Sequence, residues 1–169
     1  MSVDFLSAPT EHIKPSVIFR RFKLFKELSH DELVNWAKKI IRGMGLIVYR
    51  ASGAFSKGFV PDIVTNLDGT SSGWVIIDVV NSRDSVLRDV AGLLVVKAFV
   101  EETTKNRVYR LICAVTPNFE RKRLLYLEPF LRKFPELMIV PIEELDVFLY
   151  NLRKEILERR GVLRFELDV

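Results

Sequence analysis

The chain has 169 residues, 49% hydrophobic and 28% charged, enough for one globular domain with a sizeable core. Its net charge of +4 permits a polyanionic partner without demanding one. A single cysteine, Cys113, excludes an internal disulfide and a cysteine-based zinc site, and the two histidines, His12 and His30, are not at ligand spacing. The first residues lack a signal-peptide pattern, and the longest apolar run, Val90 to Ala98, is interrupted by Lys97 and is too short to span a bilayer. A reduced, cytoplasmic setting without membrane contact is expected, and Cys113, in an apolar strand pattern, reads as a buried thiol.

Residues 1–28 read as a basic, aromatic arm ahead of the main domain, which spans 29–169. In the arm Lys14, Arg20, Arg21, Lys23 and Lys26 interleave with Phe19, Phe22 and Phe25. Such a pattern can track a nucleic-acid backbone. Equally, Ile18, Phe22 and Phe25 share one helical face, which would pack on the domain or on a second copy.

A helix is expected from about Ser29 to Arg42, with Leu33, Trp36, Ala37, Ile40, Ile41 and Met44 on one face and Gly43 and Gly45 at its end. Glu32 borders that apolar stripe. It also completes a capping box with Ser29, so its side chain has a local role open to it.

A strand follows over 46–50. The loop 51–58, which holds Ser52, Ser56 and Lys57, either lies along phosphates or simply connects strands. Strands are expected at 59–66 and 74–80, joined by the turn-rich Asn66-Leu67-Asp68-Gly69-Thr70-Ser71-Ser72-Gly73, which favours a hairpin. The run Trp74-Val75-Ile76-Ile77-Asp78-Val79-Val80 is apolar enough to be covered on both faces. A lone carboxylate there, Asp78, costs several kcal/mol unless something neutralises or binds it. A hairpin would bring it to Asp62, which follows Pro61 upstream, and two carboxylates meeting in an apolar wall outline a hard-cation site.

The next helix, from Arg83 to about Glu102, is apolar nearly all round and is expected to be buried between layers, with Lys97 snorkelling outward or paired with Glu101. Beyond it come a strand at 107–116, a basic helix from Asn118 that Pro129 kinks or splits, a strand at 137–140, a helix from Pro141 to about Arg160, and a half-exposed strand at 162–169. An α/β or mixed α+β sandwich follows from this order.

A helix carrying Glu, then a strand, then Pro-Asp, then an acid in an apolar strand followed by a helix resembles the plan of the PD-(D/E)XK nuclease superfamily, most closely its archaeal Holliday-junction resolvase type. The matching residues are Asp31-Glu32-Leu33-Val34, Gly45-Leu46-Ile47-Val48-Tyr49-Arg50, Pro61-Asp62-Ile63-Val64 and Ile77-Asp78-Val79-Val80-Asn81-Ser82, within residues 29–116. The resemblance implies a restriction-endonuclease-like mixed sheet with an αβββαβ core, to which the element order adds a C-terminal αβαβ extension. It implies Mg²⁺ or Mn²⁺ held by Glu32, Asp62, Asp78 and the Val79 carbonyl, hydrolysis of DNA phosphodiester bonds, branched or structured DNA as substrate, and no small-molecule cofactor. A homodimer is expected, because two symmetric cuts need two sites. Contacts to nucleic acid are expected from Arg20, Arg21, Lys23, Arg50, Ser52, Ser56, Lys57 and Arg83.

One position departs from the family pattern. The lysine two residues after the second acid is here Val80. That lysine would orient water and stabilise charge developing on the phosphate oxygens. Lys57, Asn81, Arg83 and Lys97 are the candidates to replace it. The alternative is a nuclease-fold protein that binds DNA or a protein partner without cutting.

Overall fold

The computed structural model describes residues 13–50, 60–81 and 86–159. The strand expected at 162–169 lies outside them, as do Ser52, Ser56, Lys57 and Arg83.

Two helices come first, α1 (Pro15–Phe25) and α2 (His30–Gly43). The strands are β1 (Val48–Tyr49), β2 (Ile63–Asn66) and β3 (Trp74–Val80), followed by helix α3 (Val86–Thr104) and strand β4 (Val108–Val115). A 3-10 segment (Arg121–Leu127) leads into the short helix α4 (Glu128–Lys133), then β5 (Leu137–Pro141), a second 3-10 turn (Ile142–Glu144) and α5 (Leu145–Arg159). The expected basic helix is thus a 3-10 segment followed by a separate short helix. Pro129 sits in the first turn of α4, where its missing N–H costs nothing.

The five strands form one mixed sheet in the order β1-β2-β3-β4-β5. β1, β2 and β3 are antiparallel neighbours, whereas β3, β4 and β5 run parallel. The hairpin between β2 and β3 forms because Asn66 Oδ1 accepts from the N–H groups of Asp68 and Gly69, and Asp68 Oδ1 accepts from Thr70 N–H. Gly69 takes φ +72°, a conformation that only glycine adopts without strain.

Strand periodicity divides the core. Val75, Ile77 and Val79 face α2 and α5, where Leu33, Trp36, Ile41, Leu149 and Ile156 fill one layer. Ile76 and Val80 face α3 and pack with Val90, Leu93, Val96 and Leu111 in the other. Cys113 is buried in this second layer, as expected, and burial pushes its thiol far above the ordinary range.

Two expectations need correction. Helix α3 covers β3 and β4 with one face only, and Leu87, Val95 and Phe99 on its other face are exposed. Nothing among the described residues forms a further layer over that side. Arg21 is no surface cation: it is buried, its Nη1 lies 2.9 Å from Asp146 Oδ1, and it donates to the Glu143 carbonyl. With Phe25, which meets Trp36 edge-on, it fastens α1 to the domain. Alternation of aromatic and basic residues in α1 therefore reflects packing at these two positions, where a carboxylate and a carbonyl offset the cost of burying the guanidinium.

Candidate carboxylate site at the end of β3

Asp78 lies near the carboxyl end of β3, opposite Cys113 of β4, and has the same strand parity as Ile76 and Val80. It therefore projects toward α3, and it is only 6% exposed. Asp62 lies one residue before β2, on a strand antiparallel to β3, so the hairpin delivers it to the same end of the sheet. Its Oδ2 accepts from Val79 N–H at 2.8 Å and contacts His30 Nε2 at 3.2 Å.

These two acids meet. Burial, chiefly, together with a hydrogen bond to Asp62 and the nearby Asp62 and Asp89 carboxylates, pushes the Asp78 carboxyl from 3.8 up to about 9. At neutral pH the proton therefore stays on Asp78, whose carboxyl lies against the Asp62 side chain.

Glu32 stays out of this pair. Its Oε1 accepts from Ser29 N–H at 3.2 Å while Ser29 Oγ accepts from Glu32 N–H, which completes the capping box. Moreover α2 packs against the face of the sheet that Asp78 does not use. Val79 enters the site through its N–H. Lys97 is paired with Glu101 at 2.9 Å and Glu136 at 3.6 Å, and lines a cavity at the end of the sheet where β3 and β4 begin, away from the acids. Asn81 accepts from Thr116 Oγ1 at 3.1 Å. Val80 is wholly buried in the α3 layer.

Two residues of the site escaped the sequence reading, His30 and Asp89. His30 begins α2, next to its N-cap, and its ring bridges Asp31 and Asp62 at 3.2 Å each. No spacing rule could have found it, since its partner lies 32 residues away. Asp89 was within reach of inference. It lies in the first turn of α3, only a short connection beyond the end of β3, so that turn must lie beside the strand's carboxyl end.

Asp62 also lines an open cleft of about 500 Å³ with Asp31, Asn35, Lys38, Tyr49 and Arg50. Arg20 and Lys23 are exposed on α1, where the Lys23 ammonium stands 4.5 Å from the Phe19 ring centroid.

Among the described residues, no group of three or more His, Cys, Asp and Glu side chains is arranged to hold a metal ion. The paired acids nonetheless fit a magnesium-type ion. Such an ion keeps several waters and uses one or two protein carboxylates plus substrate phosphates. At such a pair a divalent cation would take the place of the proton on Asp78. None of the described helices is long and apolar enough to cross a membrane. No family model, curated protein or solved structure matches the chain.

Proposed function

We propose that this chain is a divalent-cation-dependent nuclease-like protein that binds DNA and hydrolyses its phosphodiester bonds, with Asp62 and Asp78 as the cation's ligands. The observation that carries the reading is the Asp62–Asp78 pair, in which the buried Asp78 is held protonated to about pH 9. An acid in an apolar strand with a second acid against it is poorly suited to a purely structural task, since the interior would be more stable without the charge.

The order α2-β1-β2-β3-α3-β4 supports a restriction-endonuclease-like core as part of this proposal. A bound cation would polarise the scissile phosphate and lower the pKa of an attacking water. The chain's own residues do the rest. Val79 N–H and His30 hold Asp62 Oδ2 in place, Asp78 would serve as a ligand once its proton had passed to solvent, and Arg50 and Lys38 in the adjoining cleft attract the phosphate backbone. Branched or structured DNA as substrate and a cytoplasmic location belong to the same proposal.

A second reading, binding without cutting, is favoured by one observation. Val80 occupies the position of the family's lysine and is sealed in the core, so no cation reaches the site from there. Cleavage of a four-way junction, a flap, a duplex and a single strand in Mg²⁺ or Mn²⁺, with Asp62→Asn and Asp78→Asn alongside, decides between the two. Wild-type cleavage lost in both variants supports the nuclease. Salt-sensitive binding with no cleavage by any form supports the binder, and neither activity refutes both.

A further inference from the structure

The exposed face of α3 combines features that a solvated helix does not need. Leu87 is 44%, Val95 57% and Phe99 41% exposed, and Ala91 and Ala98 lie open between them. Beside α3, the 3-10 segment exposes Leu125 and Tyr126 at 73% and 69%. Apolar surface gathered on one side in this way marks an interaction site.

The sequence along the stripe indicates the occupant. Arg88, Ala91, Val95, Ala98 and Glu102 fall at spacings of three and four, the seam of a helix pair. Two copies of α3 laid antiparallel about a two-fold axis at Val95 would set Val95 against Val95 and bring the charged ends of the stripe together. Arg88 then faces Glu102 of the other copy, Ala91 faces Phe99, and Gly92 faces Ala98. Opposite charges meet at both ends, and a small residue receives a large one in the middle. Among the described residues Glu102 makes a 3.7 Å surface contact with Lys105, and its exposed side chain is able to turn toward a second partner.

We propose that α3 is the interface of a homodimer, with two copies packed antiparallel across Val95. The inference stands apart from the nuclease reading, since it uses no residue of the carboxylate site. The seam is isologous, each half making the same contacts as the other, so it closes at two chains.

The experiment uses the full chain. Sedimentation equilibrium of the wild type should give twice the chain mass. Val95→Glu sets two carboxylates against each other at the axis and should raise the dimer Kd about 100-fold or more. Val95 is open to solvent in the single chain, so the variant should keep its fold, as circular dichroism would show. Arg88→Glu alone should weaken the dimer, and Arg88→Glu with Glu102→Arg should restore it. In addition, Val95→Cys should form an intermolecular disulfide on mild oxidation, because the native Cys113 is buried and does not compete. A wild-type monomer at 100 times the concentration used for activity assays refutes the proposal. So does a dimer that Val95→Cys fails to cross-link and that Val95→Glu leaves intact, which would place the interface elsewhere, including on residues 160–169.

Discussion

Replacing Asp78 with asparagine should stabilise the metal-free protein. The folded carboxyl keeps its proton to about pH 9, whereas the unfolded one releases it near 3.8. Below pH 3.8 both states are protonated and the acid costs nothing. Above it the unfolded chain loses the proton and the folded one does not, so stability falls by about 1.4 kcal/mol per pH unit until the folded carboxyl ionises. By pH 7 the accumulated loss is about 4 kcal/mol. Asparagine has nearly the same shape, cannot ionise, and keeps an N–H to donate to Asp62. It should recover about 2–4 kcal/mol at pH 7, a rise of several degrees in Tm for a chain of this size. Urea unfolding of both proteins in EDTA at pH 5, 7 and 8.5 measures it. The gain should be small at pH 5 and should grow steadily toward pH 8.5. A gain of equal size at all three pH values, or none, would refute the protonated-pair account.

Mg²⁺ or Mn²⁺ should raise the Tm of the wild type but not of Asp62→Asn, and the apparent affinity should increase up to about tenfold per unit between pH 6 and 8, because binding displaces a proton; calorimetry in buffers of different ionisation enthalpy would count it. Glu32→Gln should leave cleavage within about threefold of wild type and cost under 1 kcal/mol, since the side chain is engaged with its own helix N-terminus. A loss as large as that of Asp62→Asn would return Glu32 to the cation. Arg21→Ala should cost about 3–5 kcal/mol by stranding Asp146 in the interior, with a smaller loss when Asp146→Ala accompanies it, as chemical denaturation would show. Gly73→Ala should cost about 1–3 kcal/mol, because a Cβ there collides with the Asp68 carboxylate and the Asn66 amide; thermal melting measures this directly.

Local chemistry was enough to locate the carboxylate pair. Pro61-Asp62 before an apolar run, a turn-rich connection, and Asp78 inside a second apolar run favour a hairpin with both acids at one end, because strand parity and turn chemistry act over neighbouring residues. The capping role of Glu32 was legible for the same reason, as both of its partners lie within four residues.

What depends on distant chain was not legible. His30 reaches Asp62 across 32 residues and Arg21 reaches Asp146 across 125, and no periodicity encodes which cation ends beside which acid. The α3 face shows the same limit from the other side. An apolar residue looks alike in sequence whether it will be covered or left bare. Only the packing of the sheet on one side, with nothing described on the other, set Val95 and Phe99 in solvent. Composition and spacing thus determined which elements form and which acids share an end of the sheet. Tertiary packing decided which charges are sealed inside, which side chain supports Asp62, and which apolar surface is left for a partner, because those outcomes depend on three-dimensional neighbours that sequence order does not record.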